Sequence, residues 1–124
     1  MFLHIKDVLT PEEITFFRQA LGPQAPWIEG ARSAGGQAIH QKNNLQLAQG
    51  SELSAQLQTM VKAALHRNAL FFSAALPRRI YNPLFNNYGD GANFYGNHVD
   101  SAVMHSKADN CWVRSDLSCT LFLT

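Results

Sequence analysis

The run Phe94-Tyr95-Gly96-Asn97-His98-Val99-Asp100 carries the most suggestive chemistry in the sequence. His98 and Asp100 stand two positions apart, the spacing at which a β-strand projects side chains from one face, so an imidazole and a carboxylate can address a single point. Two histidines and one carboxylate form the facial triad that holds non-haem Fe(II) while leaving coordination positions open. The tripeptide alone is a weak signal, because with five histidines in 124 residues an H-x-D match arises easily. An exposed histidine beside a loop aspartate is the plain alternative. His105, seven positions beyond His98, competes as a further ligand in a cupin-like metal site, although a loop histidine is the simpler expectation.

The elements that would position these groups can be read from local pattern. Thr10-Pro11-Glu12-Glu13 is a helix start, with Thr10 as cap, Pro11 in the first helical position and Glu13 closing a capping box. Ile14, Phe17 and Leu21 share one apolar face, and Gly22-Pro23 ends that helix. A second helix is predicted from Ser51 to about Asn68, with Leu53, Leu57, Met60, Val61, Ala64 and Leu65 at helical spacing. Both helices are expected to pack on something flat. Gly35-Gly36 marks a turn, and Ala38 to Leu47 reads as a strand that includes the polar stretch Lys42-Asn43-Asn44. Arg79 to Tyr88 is rich in β-formers, with Pro83 suggesting an edge or a bulge. Leu117 to Leu123 alternates cleanly and is the best strand pattern in the chain. Helices precede strands, so the fold class is α+β.

Size and charge narrow the field. A chain of 124 residues suits one domain, residues 1–124. A hydrophobic share of 46% places it among globular chains rather than disordered ones. A net charge of +1 gives no field to attract nucleic acid or an anionic membrane. Ala69 to Leu76 is the longest apolar stretch and is too short to span a bilayer. Cys111 and Cys119 have no C-x-x-C spacing, so two thiols in a reducing cytoplasm are expected rather than a zinc ribbon or a redox motif.

From Tyr88 through Gly91 and Phe94-Tyr95 to His98-Val99-Asp100, the sequence resembles the Y-x-x-G-x-x-(Y/F)-x-x-H-x-D signature of the prolyl 4-hydroxylase branch of the Fe(II)/2-oxoglutarate oxygenases. Lys42-Asn43-Asn44, the stretch from Ala69 to Pro77, the segment from Pro83 to Tyr88 and the run from Arg114 to Leu123 extend the resemblance to the N-terminal half of the bacterial PKHD-type hydroxylases. It covers nearly the whole chain.

The resemblance implies N-terminal helices packed on a double-stranded β-helix, or jelly roll. It implies that His98 and Asp100 are iron ligands and that Tyr88 contacts 2-oxoglutarate, where a core aromatic at a strand end is the alternative. Tyr95 would shape the approach to the iron, with packing as its simpler role. Arg114 and Asp116 could pair at the mouth of the site or form an exposed ion pair. The implied cofactors are Fe(II), 2-oxoglutarate as cosubstrate and L-ascorbate. The implied reaction consumes O2, hydroxylates a C–H bond of a small-molecule or peptidyl substrate, and converts 2-oxoglutarate to succinate and CO2. The family's distal histidine and its 2-oxoglutarate-anchoring arginine fall after Thr124 in this pattern, so the chain is expected to be a truncated, inactive piece of the domain. The rival is a non-catalytic binding domain on the same scaffold, since fold does not dictate function.

Overall fold

The computed structural model describes residues 2–30, 42–88, 94–95, 103–106 and 109–124. It is an α+β arrangement with three helices and short antiparallel strands among the described residues. Helix α1 spans Pro11–Ala20 and begins as its sequence dictates. The Glu13 backbone N–H donates to Thr10 Oγ1 at 3.1 Å, and the Thr10 N–H donates to Glu13 Oε1 at 2.8 Å. Helix α2 spans Glu52–Arg67 between the caps Ser51 and Asn68. Asn68 serves twice: its Oδ1 also accepts from the Phe71 N–H at 2.8 Å, opening α3, Ala69–Ala75. That third helix was not anticipated, because its apolar run is too short and too uniform to show a period.

The strands are β1 (Trp27–Glu29), β2 (Lys42–Asn43), β3 (Leu45–Leu47), β4 (Asn86–Asn87), β5 (Phe94–Tyr95), β6 (Val103–Ser106) and β7 (Cys111–Arg114). They form a sheet in the order β1-β3-β4 and two antiparallel pairs, β2-β5 and β6-β7. The helices cover one face of the β1-β3-β4 sheet. Leu47 of β3 and Phe85, just ahead of β4, join Phe17 of α1 and Leu57, Val61, Ala64 and Leu65 of α2 in one buried core, closed by Val8 and Leu9. Phe17 and Leu57 are fully buried, and each such side chain contributes about 1.5–3 kcal/mol by leaving water. Ile14, Leu21, Leu53 and Met60 flank the core as the helical spacing predicts.

Three strand expectations are corrected. The strand from Ala38 to Leu47 is broken at Asn44 into β2 and β3, which join different sheets; residues 38–41 and the Gly35-Gly36 turn lie outside the described residues. Of Arg79 to Tyr88, only Asn86–Asn87 is strand. The rest runs beside α2, where Gln58 Nε2 donates to the Pro83 carbonyl at 3.1 Å and Lys62 Nζ bonds Asn82 Oδ1. Leu117 to Leu123 has no regular structure despite its alternation. Leu121 and Leu123 pack on the core, but Leu117 and Phe122 are 68% and 75% exposed. Alternation selects which side of an extended chain faces the core, whereas a strand also needs a partner for its backbone, and none of the described strands supplies one.

A tie at the surface joins the ends of α1 and α2. Arg67 donates through Nη1 to Glu13 Oε2 at 2.9 Å and through Nη2 to the Val8 carbonyl at 3.1 Å, and Nη2 also pairs with Glu13 Oε1. The Arg67 guanidinium, aided by the Thr10 N–H, holds the Glu13 carboxyl at about 2, below its ordinary 4.5. A folded-state pKa below the unfolded one means that the contribution is complete above the ordinary value and is lost as pH falls toward about 2. Glu13→Gln is therefore expected to melt at a lower temperature than the parent at neutral pH, with the gap closing across that acid window. A gap that thermal unfolding shows to be independent of pH would contradict this account.

Candidate functional site

Strand β3 alternates Leu45 and Leu47 with Asn44 and Gln46, and the period of two sends the pairs to opposite faces. Leu47 enters the helix-covered core, so Asn44 and Gln46 occupy the other face, where they are 5% and 0% exposed. The register sets Gln46 opposite Asn86. Asn86 Oδ1 accepts from Asn44 Nδ2 at 2.9 Å and from Gln46 Nε2 at 3.1 Å, so one carbonyl holds two amides. Asn44 Nδ2 also donates to the Leu45 carbonyl at 3.2 Å. On β1's side, the Gly30 N–H donates to the Asn44 carbonyl at 2.7 Å. A Cβ on Gly30 would come within 1.9 Å of Asn44 Oδ1, so only glycine lets the backbone approach this closely. Asn44 Oδ1 and Gln46 Oε1 are buried without a hydrogen-bond partner among the described residues.

This amide cluster sits where the chain changes sheets. Leu45 and Gln46 pair with Asn87 and Asn86 of β4, and two residues earlier Lys42 and Asn43 pair with Tyr95 and Phe94 of β5. The six residues from Lys42 to Leu47 thus pair with the strand before the signature and with one inside it: β4 leads directly to Tyr88, and β5 ends three residues before His98 in sequence. Tyr88 directly follows β4 and is 45% exposed. His98 and Asp100 lie outside the described residues, as does the side chain of Tyr95.

The remaining candidates sit elsewhere. His105 is on β6 rather than in a loop, paired with Trp112 across the hairpin, and its ring meets the indole edge-on at 5.0 Å. Its backbone carbonyl accepts from the Tyr81 hydroxyl at 2.9 Å. No group of three or more metal-binding side chains forms among the described residues. Arg114 and Asp116 pair at 2.8 Å with side chains 78% and 64% exposed. They form the exposed ion pair, whose contribution to stability is about 0–1 kcal/mol. Cys111 and Cys119 are free thiols. No helix among the described residues is long and apolar enough to cross a membrane.

Asn44, Gln46 and Asn86 were not singled out from sequence as a cluster. The available signal was two amides alternating with two leucines in one short stretch, a polar face on a strand whose other face is core.

Comparison with known proteins finds relatives over nearly the whole chain. A PKHD-type hydroxylase of Variovorax paradoxus is 51% identical over 123 residues, which are 99% of this chain and 54% of that protein. The chain is a relative of the PKHD-type hydroxylases. A second PKHD-type hydroxylase, from Aliarcobacter butzleri, is 47% identical over all of this chain and 54% of its own length. The PKHD-type hydroxylase YbiX of Escherichia coli is 48% identical with the same coverage. The chain therefore spans about half the length of the curated PKHD-type hydroxylases it matches. No protein-family model matches the sequence. The relatives bear out the family resemblance drawn from the signature and its surrounding segments.

The amide cluster makes a stability prediction. Asn86→Ala removes the acceptor of the buried Gln46 amide and one of the two acceptors of the Asn44 amide, a loss expected to cost about 1–3 kcal/mol. Gly30→Ala is expected to destabilise comparably by driving a methyl group into Asn44. Gly50→Ala, where a Cβ meets nothing within 4 Å, is the control and should stay within about 0.5 kcal/mol of the parent. Urea unfolding midpoints measure all three, and an Asn86→Ala midpoint equal to the control's would refute the cluster's structural role.

Proposed function

We propose that this chain forms part of an Fe(II)- and 2-oxoglutarate-dependent hydroxylase. The observation that carries this reading is the kinship with proteins named hydroxylases, joined to a structural fact: one short segment, Lys42 to Leu47, pairs with the strand that precedes Tyr88 and with the strand Phe94–Tyr95 inside the signature. His98 and Asp100 are the proposed iron ligands within a single domain of jelly-roll type in the cytoplasm.

The residue types fit Fe(II). A neutral imidazole nitrogen and a carboxylate oxygen are two of the three donors that a facial triad needs. The neighbouring floor is built of neutral amides, which do not compete with a carboxylate for the cation. When bound, the iron supplies the redox chemistry that couples O2 to decarboxylation of 2-oxoglutarate. The balance is one O2, one 2-oxoglutarate and one substrate C–H bond giving succinate, CO2 and a C–OH group. The protein's share is to bind and to orient. His98 and Asp100 would hold the metal through an imidazole nitrogen and a carboxylate oxygen. Tyr88, directly after β4, would donate its phenolic O–H to an oxygen of 2-oxoglutarate. Ascorbate serves as reductant for iron lost to the oxidised state, and the substrate is a small molecule or a peptidyl side chain.

The test uses the chain extended to the full length of its relatives. Succinate formation from 2-oxoglutarate is expected to fall to background in His98→Ala and in Asp100→Ala. Tyr88→Phe, which removes one hydrogen bond, is expected to raise the KM for 2-oxoglutarate by about tenfold with a smaller effect on kcat. Turnover coupled to product formation that survives His98→Ala would refute the proposal and favour a binding domain on the same scaffold.

A further inference from the structure

A second feature lies outside the amide face. Lys62 and His66 stand four positions apart on α2, hence on one side of it. Arg78 and Arg79 follow α3 and face the same cleft, whose volume is about 490 Å³. The backbone accounts for their placement. Leu76 caps α3 in the left-handed region at φ 45°, where a side chain other than glycine costs about 1–2 kcal/mol, and Pro77 then prevents the helix from continuing. The chain turns there and brings two consecutive guanidinium groups to the cleft.

The charge is largely uncompensated. Lys62 is held by an amide oxygen, Asn82 Oδ1, and Arg79 by the thiol sulfur of Cys111, and among the described residues neither is anchored by a carboxylate. Among the described residues, the ion pairs are Arg67 with Glu13 and Arg114 with Asp116, and neither belongs to the cleft. Asp109 is the one acidic residue in the lining, and it also takes a hydrogen bond from Ser106 Oγ at 3.2 Å. Three permanent cations against one carboxylate stand out in a chain whose net charge is only +1. Complementarity to a helix dipole accounts for His66 in the last turn of α2, but not for Arg78 and Arg79, which lie past the end of α3.

Part of the cleft's lining is apolar. Phe72 and Ile80 line it, and the Phe72 ring meets the His66 imidazole at 5.2 Å with a tilt of 34°. Ligand sites combine an apolar wall with a few convergent polar groups in clefts of about 300–1,000 Å³. Paired guanidiniums suit planar or tetrahedral oxyanions, and an ammonium adds a point charge.

We propose that this cleft binds a small organic dianion with an aromatic or otherwise apolar body, its charged head on Arg78, Arg79 and Lys62 and its body on Phe72 and Ile80. Phenyl phosphate is the probe, titrated into the 124-residue chain and followed by backbone amide NMR shifts. The expected result is saturable binding, tighter than that of inorganic phosphate, with shifts concentrated at the end of α2, at residues 77–80 and at residues 109–111. Replacing Arg78 and Arg79 together by glutamine is expected to weaken phenyl phosphate binding by about tenfold or more. Phe72→Leu, which keeps an apolar helix residue, should erase the preference over inorganic phosphate. Because both arginines are exposed, the double variant should keep the parent's spectrum elsewhere. Lys62→Met gives an independent loss that does not depend on that turn. Shifts spread equally over unrelated basic residues such as Arg18 and Arg114, or an affinity unchanged in both the double variant and Lys62→Met, would overturn the proposal.

Discussion

One carbonyl oxygen, Asn86 Oδ1, receives two buried amide N–H groups from β3, and the geometry of the polar face depends on it. Strand β4 is two residues long, too short to hold its register by backbone ladder alone. The side-chain bonds add a second constraint in the same plane. They specify the pairing of Gln46 with Asn86, and a slip by one residue would turn Asn86 toward the helices and Phe85 out of the core. Hydrogen bonding on one face and apolar burial on the other thus demand the same register.

That agreement explains how buried amides are tolerated. An amide taken out of water without a partner costs about 1–3 kcal/mol, so a floor containing Asn44 and Gln46 is costly unless its donors are used. The N–H groups are used; the two carbonyl oxygens, Asn44 Oδ1 and Gln46 Oε1, find no partner among the described residues. The helical layer supplies the offset. Phe17, Leu57 and Leu47 are almost wholly buried beneath the same sheet, and Arg67 ties the end of α2 to the start of α1. A stable apolar layer on one side lets the other side keep polar groups that stability alone would not select.

The helices were legible in the sequence because their information is local. Thr10, Pro11 and Glu13 specify a start within four residues, and the apolar spacing from Leu53 to Leu65 defines a face without reference to any other part of the chain. The strands were not, because a strand's identity lies in its partner. Leu117 to Leu123 has the cleanest alternation and forms no strand, whereas Asn86–Asn87 has no apolar pattern and does. The break at Asn44 was hidden for the same reason: a polar residue inside a strand pattern reads as a surface position until Gly30 and Asn86 are seen on either side of it. At the candidate site, the family resemblance named His98, Asp100 and Tyr88, but the neutral amides joining β3 to β4 emerged only from the pairing of segments some forty residues apart.

The neutrality of that floor is itself informative on the proposed function. A metal bound by one histidine and one aspartate, approached by a dianionic cosubstrate, is a site where each further charge shifts the balance. An aspartate in place of Asn44 or Asn86 would add a hard oxygen donor able to compete for the cation, and its charge would repel 2-oxoglutarate. A lysine in place of Asn44 would be a buried cation without a carboxylate, at a cost of several kcal/mol. Asparagine and glutamine avoid both penalties, since they orient through hydrogen bonds and carry no net charge. They join β3 to β4, the strand that leads to Tyr88, without adding charge beside the proposed site. Paired cations, which such a floor cannot hold, occur instead in the exposed cleft beside α2, where solvent and open space allow them.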